Sequence, residues 1–406
     1  MADSVCAVRK ETDLRSHAHL LQRTHEAMIV GSALPVRPRD VVDRSWRRMR
    51  AADHDVERIG RIEQATADAI ERRRRTSPMA PVIDGLRQNL AAVAEEAQHL
   101  MVVSDADGMI LWRAGSAKVR RRADAVGFAD GALWTESTVG TNAIGTAMVE
   151  QAPVQLFSAE HFSRSLHTWT CTASPVHDPR TGDLIGIVNL SGDVASAHPA
   201  TVALVATAVR LAEADLWIQR EVRLNQLRQI AGSVLSRVRG PAMLVDDDGW
   251  VAAVNGIATT GRVAVPSDQT PCFVPGLGAC LPEAITGGWL LRPQSATSTA
   301  GGIRLHIDYD VQPVEAVVEG DTTWRYPLTP RSVQLLALLM NAGRAGISTL
   351  GLSEAMFGDQ HHEVTVRAEV SRLRRKLGGL VLTRPYRIAP NIVVDGDIPS
   401  AGTTSS

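Results

Sequence analysis

Glycine never precedes lysine in this 406-residue sequence. A G-x-x-x-x-G-K-[ST] loop is therefore absent, and with it the cradle that ATP-driven machines use to hold phosphates. No apolar run approaches the ~20 residues a membrane span needs, and the amino terminus lacks a signal-peptide pattern. Only four cysteines occur, Cys6, Cys171, Cys272 and Cys280. They are scattered, so neither a zinc site nor a disulfide framework is indicated. His161, His167 and His177 lack the HxxxH or HExxH register of helical metal ligands. These absences point to a cytoplasmic, non-membrane protein with reduced thiols and no cofactor.

What is present fits an ordinary globular chain, 44% apolar and 21% charged, long enough for two to four domains. The formal net charge of −1 conceals an asymmetry. Pro241–Arg325 holds four basic and ten acidic residues, whereas Tyr326–Pro390 holds nine basic and four acidic. Selective placement of positive charge is what a phosphate-binding module needs.

Within that basic stretch, Glu363–Leu377 spaces Val366, Val370, Leu373 and Leu377 four, three and four apart. On a helix they form a stripe about 60° wide, a single buried face. Opposite it project Ala368, Ser371, Arg372 and Arg375, flanked by Arg367 and Arg374 on one shoulder and Thr365 and Lys376 on the other. Small residues let a backbone approach the major groove, and arginine can fork onto guanine or clamp phosphate. Thr329 and Pro330 open an upstream helix as N-cap and first residue. A short second helix follows at Ser348–Met356, and Leu380–Ile388 reads as two short strands around a turn.

This order of three helices and a basic hairpin resembles the winged-helix DNA-binding domain of OmpR-type response regulators. The resemblance implies that Thr365, Arg367, Ser371, Arg372, Arg374 and Arg375 face the major groove or its phosphates. It makes Thr383, Arg384, Tyr386 and Arg387 the wing. This wing is short and carries Pro385 where the family often has glycines.

Residues 1–78 read as helices broken by Pro35 and Pro38, with one helix expected over Asp40–Met49 and another over His54–Arg75. The run Arg72–Arg75 either touches nucleic acid or complements the end of a helix dipole, and the second reading is preferred. From Val82 the pattern turns α/β. A helix over Val82–Glu96 precedes a hairpin whose turn is Asp105-Ala-Asp-Gly, and two longer strands flank His177–Asp183. Between the hairpins stand Trp134-Thr-Glu, Gly140-Thr-Asn-Ala-Ile-Gly-Thr-Ala, Pro153-Val and Glu160-His-Phe, and the second hairpin opens with Trp169–Gly182. These motifs resemble the GAF sensor domain of activators of acetoin and dihydroxyacetone utilisation, and the likeness extends upstream to Ser45-Trp46-Arg47. It implies a pocket for a small metabolite, with Trp134, Glu136, Asn142, His161, Trp169, Cys171 and His177 as candidate lining residues.

Val202, Val205, Val209, Ala212 and Leu216, then Leu224, Leu227, Ala231, Val234 and Val238, repeat at three and four. Over about 37 residues, roughly 55 Å of helix, this predicts a signalling helix that pairs with its copy in a homodimer, the alternative being a helix packed on its own GAF sheet. Gly240–Val254 resembles the opening hairpin of a PAS-like or small β module. Ile303–Tyr309, Val314–Val318 and Thr322–Arg325 are expected to complete its sheet. The acidic run Asp246–Asp248 reads as a turn, and the tail after Asn391 reads as disordered.

The expected architecture is α+β and multidomain. It comprises an N-terminal helical region (1–78), a GAF sensor with an antiparallel sheet (79–199), a signalling helix (200–239), a PAS-like β module (240–325), a winged helix (326–390) and a disordered tail (391–406). Activators of the acetoin type carry an ATPase domain that remodels the sigma-54 polymerase, and the missing phosphate loop excludes that mechanism. The expected function is a one-component, ligand-responsive transcriptional regulator. Its partners would be double-stranded DNA, a small-molecule effector of unknown identity, a second copy and RNA polymerase. The alternative is a GAF-based signalling or RNA-binding antitermination protein. Enzymatic function is not expected: Cys171 and His177 could approach across a hairpin, but no third group orients them.

Overall fold

The computed structural model describes residues 5–56, 64–96, 98–257, 261–263, 265, 272–274, 277–293, 303–319, 323–358, 363–383, 385–390 and 392–394, with the side chains of 91–96, 303, 363, 364, 375 and 378 outside that set. The chain divides into two compact units, Met1–Gln219 and Arg220–Ser406.

The first unit opens with α1 (Leu14–Ile29), capped by Asp13, whose carboxylate accepts from Arg15 N. Next come α2 (Asp40–Ala51) and α3 (Ala67–Thr76). Of the helix expected over His54–Arg75, α3 forms the last part, and residues 57–63 lie outside the described residues. Gln64 bridges Ala132 and Ala65 N donates to Gly131 O, so this stretch is drawn into extended pairing before Thr66 caps α3. The arginines that close α3 turn onto the neighbouring hairpin. Arg73 Nη1 contacts Asp105 at 2.5 Å and Asp107 at 2.9 Å, and Arg74 Nε donates to Leu111 O.

After α4 (Ile83–Glu96) come β1 (Leu100–Asp105), β2 (Ile110–Ala114), α5 (Ala117–Asp124), α6 (Glu136–Val139), α7 (Ala143–Glu150), β3 (Val154–Phe157), β4 (Trp169–His177) and β5 (Leu184–Asp193). The strands form one antiparallel sheet in the order β2-β1-β5-β4-β3. Side chains alternate across a strand, so β1 feeds two cores. Leu100 and Val102 join Val42, Trp46 and Met49 of α2 and Ala143, Ile144 and Ala147 of α7 on one face. Met101 and Val103 join Leu86 and Leu90 of α4 on the other.

A long helix, α8 (Ala200–Arg237), follows. Val205, Val209, Ala212 and Leu216, the first half of the seam assigned above to a dimer, lie buried in the second of those cores. In the second unit Leu224, Leu227 and Ala231 are buried against Ala242, Leu244 and Trp250. This corrects the seam at those seven positions, whereas Val202 is half-buried and Val234 is 44% exposed. The three-and-four repeat marks a helix packed on its own chain, since each buried valine or leucine gains about 1.5–3 kcal/mol wherever its apolar partner comes from.

The second unit continues with β6 (Ala242–Val245), β7 (Val251–Asn255), β8 (Cys272–Val274), β9 (Gly278–Ile285) and β10 (Gly288–Pro293), in the order β7-β6-β10-β9-β8. Asp246 organises the β6–β7 turn, its Oδ1 accepting from Asp248 N and Trp250 N. Strands β11 (Ile303–Asp308), β12 (Glu315–Glu319) and β13 (Thr323–Pro327) do not complete that sheet. Next come α9 (Pro330–Asn341), α10 (Thr349–Phe357), α11 (Glu363–Leu377), β14 (Val381–Thr383), β15 (Tyr386–Ile388) and β16 (Ile392–Val394). The order β13-β12-β11-β16 makes a separate sheet, with β16 parallel to β11. Leu305, Ile307, Ala316 and Val318 pack beneath Leu335, Leu336, Leu339 and Leu373. Apolar alternation along β11 and β12 thus serves the three helices rather than the preceding module. The expected disordered tail is likewise corrected at Ile392–Val394; residues 395–406 lie outside the described set.

Candidate functional site

Two regions draw the sequence candidates together, one in each unit. In the first unit, α2 lies along the apolar face that carries Trp134, Trp169 and Cys171. Arg48 Nε and Nη2 bind both oxygens of Glu136, at 2.7 and 2.8 Å. Oε1 of the same carboxylate also accepts from Ser45 Oγ at 2.6 Å and Thr146 Oγ1 at 2.8 Å. Arg39, the residue before α2, does the same for Glu160 at 2.7 and 2.8 Å, and Phe157 N adds a third donor at 2.9 Å. Trp46 Nε1 donates to Glu160 O. Two forked arginine–carboxylate pairs, each with further donors, bind α2 to the sheet domain. Bidentate geometry and extra hydrogen bonds are what allow such charges to be buried.

The glycine-rich motif has a steric origin. Gly140 sits at φ +80°, and a Cβ on Gly145 would lie 2.5 Å from Glu136 N, so α7 can approach α6 only through a glycine. Asn142 caps α7: Oδ1 accepts from Gly145 N, while Nδ2 donates to Gly140 O and Thr135 O. Its amide is spent on backbone. Glu136 is likewise engaged by four donor atoms from Ser45, Arg48 and Thr146.

Trp134 is buried against Phe128, with ring centroids 4.0 Å apart, and its Nε1 donates to Gly127 O. Trp169 is buried, and the Arg122 guanidinium stacks 4.4 Å from its ring centroid. Burial pushes the Cys171 thiol up to about 12, leaving it protonated and unreactive near neutrality, with Ser191 Oγ donating to its sulfur. His177 stands apart at the end of β4. Its Nε2 meets Gln151 Oε1, and its backbone N donates to Glu213.

His161 is fully buried, and it has company that sequence reasoning missed. His25 of α1 is also fully buried, and its ring lies 4.9 Å from that of His167. Burial lowers His25, His161 and His167 to about 4. Arg39, Arg48 and His25 escaped notice because they precede the sheet domain in the chain. The one signal available was the family likeness reaching upstream to Ser45-Trp46-Arg47. Among the described residues no group of three or more His, Cys, Asp or Glu is arranged to hold a metal ion, and no helix is long and apolar enough to cross a membrane.

In the second unit, Val366, Val370, Leu373 and Leu377 of α11 are all buried. Arg367, Ala368, Ser371 and Arg372 are exposed, and Thr365 is half-buried. Arg372 reaches back to Glu369 at 2.5 Å. Arg374 turns inward, its Nε donating to Val381 O of β14; burial and then the nearby Arg262 lower its pKa. In the hairpin, Thr383 is exposed and Arg387 Nη1 donates to Arg344 O. Tyr386 exchanges both backbone hydrogen bonds with Ile347. Arg384 and the Arg375 side chain lie outside the described residues. The structure therefore brings Arg367, Ser371 and Arg372 together on one open face and sends Arg374 and Arg387 to backbone carbonyls.

Residues 19–213 match the family described as MimR, N-terminal domain. The 47.3 kDa protein of the thcA 5′ region of Rhodococcus erythropolis is 28% identical over 404 residues, covering 97% of this chain and 75% of that protein. The acetoin dehydrogenase operon transcriptional activator AcoR of Bacillus subtilis is 33% identical over 152 residues, or 37% of this chain. The aligned part is only 25% of that activator's length. Among solved structures, the Escherichia coli DhaR(N)–DhaL complex aligns at 18% identity and a TM-score of 0.45, over 62% of this chain and 99% of that one. Part of the chain is thus similar to the MimR N-terminal domain and to transcriptional regulators of acetoin and dihydroxyacetone operons.

Proposed function

We propose that the chain is a ligand-responsive, one-component bacterial transcriptional regulator acting in the cytoplasm and without enzymatic activity. Its N-terminal domain senses a small metabolite in a GAF fold. Its last three helices and hairpin bind duplex DNA as a winged helix. The observation that carries the reading is α11, whose valine–leucine seam is buried while Arg367, Ala368, Ser371 and Arg372 face outward. In this reading those residues, with Thr365 and Arg375, meet the major groove. Thr383, Arg384 and Tyr386 form the wing, and Arg374 and Arg387 brace it through Val381 and Arg344.

The regulator pairs with a second copy. Burial of the original seam moves the pairing face to Leu211, Trp217 and Ile218, large apolar residues of α8 that are 43–57% exposed. Ligand binding then works by favouring one of two arrangements of the DNA-binding helices, with RNA polymerase as the downstream partner.

The test is fluorescence anisotropy with duplexes from the promoter region upstream of its own gene, at several salt concentrations. Arg367→Ala and Arg372→Ala are expected to weaken binding by about 1–3 kcal/mol where a base contact is lost, and to flatten the salt dependence where a phosphate contact is lost. Unchanged affinity and salt slope in both variants would sink the assignment.

A further inference from the structure

Cys272 and Cys280 form no pattern in the sequence, but the fold sets them face to face. Strand β8 pairs antiparallel with β9, and in that register Cys272 stands directly opposite Cys280. Residues opposed in this way send their side chains to the same face of the sheet. Both cysteines are free thiols in one buried core with Met243, Val245, Val274 and Leu291. Their backbones suit a bond. Opposed residues of antiparallel strands have Cα atoms about 4.5–5.5 Å apart, inside the ~4.4–6.8 Å that a disulfide spans. Among the described residues no third ligand joins the pair to hold a metal ion.

The position of β8 controls their reactivity. Burial pushes the Cys272 thiol up to about 12 and raises Cys280 as well, so neither is a thiolate near neutrality while the strands are paired. Yet β8 is three residues long and lies at the edge of its sheet, the kind of element that opens locally before the rest. Phe273, between Cys272 and Val274, belongs to the other core. It joins Leu373, Leu377, Leu380 and Val381, and β8 runs against α11 and the turn Gly378–Leu380. One face of β8 thus serves the β module and the other serves α11. We infer that Cys272 and Cys280 are a redox site, closing a reversible disulfide that fixes β8 on β9 and, through Phe273, firms the seat of α11.

The oxidant is a small disulfide, RSSR. When β8 opens, one cysteine attacks as its thiolate and releases the first RSH. The second cysteine then attacks the mixed disulfide and releases the other. Two Cys–SH and RSSR become Cys–S–S–Cys and two RSH, which carry away both protons and both electrons. Opposed Cβ atoms stand about 4.5–5.5 Å apart where a disulfide prefers ~3.5–4.5 Å, so the bond draws the strands together, carries strain and is readily reduced again. The redox step stands without the regulator reading above; any effect on DNA rests on it.

The experiment equilibrates the full chain, without DNA, in glutathione buffers of rising disulfide content. Mass spectrometry after acid quenching and alkylation reads the thiols, and amide hydrogen exchange reads α11. The expected result is a segment holding both cysteines that becomes lighter by two hydrogens, reversibly and with no glutathione attached. Exchange across α11 should slow about threefold or more as the bond forms. Cys280→Ala should abolish both changes, and Cys6→Ala neither. Three outcomes overturn the proposal: both thiols still alkylated in the most oxidising buffer, a lasting glutathione adduct or a bond to Cys6 or Cys171 instead, or α11 exchange that ignores the bond. If the variants do not fold, the wild-type series alone decides. Anisotropy with promoter duplexes keeps the two readings apart: a bond that forms and slows α11 in a chain unable to bind DNA would defeat the regulator reading and leave this site standing.

Discussion

Arg372 Nη1 lies 2.5 Å from Glu369 Oε1, one turn back on α11, and the two ends of the pair sit in different media. The arginine side chain is 60% exposed and the glutamate 4%. A phosphate that recruits Arg372 must compete with a carboxylate that cannot follow it outward. Glu369→Gln is expected to tighten DNA binding about three- to tenfold, the ~1 kcal/mol scale of a partly exposed ion pair. Equal or weaker anisotropy-measured affinity, with an unchanged melting temperature, would show that Arg372 does not meet DNA.

Removing one partner of a buried pair is costlier than removing both. Arg48→Met strands the Glu136 carboxylate beneath α2 and should cost about 3 kcal/mol or more in urea unfolding. Adding Glu136→Gln should recover part of that, because a glutamine oxygen still accepts from Ser45 and Thr146. A double-mutant cycle gives the coupling. Additive losses would mean that Arg48 contributes only packing.

The buried imidazoles set a pH dependence whose sign is fixed. Folded-state values of about 4 for His25, His161 and His167 lie below the ~6.5 of an unfolded histidine. Between those limits the unfolded chain binds more protons, so stability present above about pH 6.5 is lost as pH falls towards 4. Three such groups set a ceiling of about 4 kcal/mol per pH unit. Urea midpoints at pH 7, 6 and 5 should fall in that order, and a flat series would mean the rings titrate normally.

Sedimentation separates the two faces of α8. Leu211→Glu with Ile218→Glu should yield a folded monomer, because both residues are exposed. Leu216→Glu should instead destabilise the first unit, since that side chain belongs to its core. A dimer that persists in the Leu211/Ile218 variant would relocate the interface.

The helices with strong caps and stripes are legible in the sequence. Thr329 caps α9 with Pro330 at its first position, and the stripe on α11 is buried throughout. Periodicity could say that Val205, Val209 and Leu216 are buried, but not by what, because a helix on its own sheet and a coiled coil need the same apolar spacing. Strand partners were illegible for a related reason. Alternation in β11 and β12 states which side is apolar, while the helices they serve begin more than ten residues later. In the first unit the sequence points to Glu136 and His161. Arg48 and His25 lie 88 and 136 positions before those residues, and only the fold brings α1 and α2 onto the sheet domain.

β16 carries a practical lesson about the last part of the chain. Ile303, Arg304 and Leu305 run alongside Ile392, Val393 and Val394. A shortened protein ending at Pro390 would strip β11 of that neighbour and bare a row of amide and carbonyl groups. Such rims recruit stray strands and seed aggregation. Trimming what looks like dispensable trailing sequence would therefore trade a soluble preparation for a sticky one.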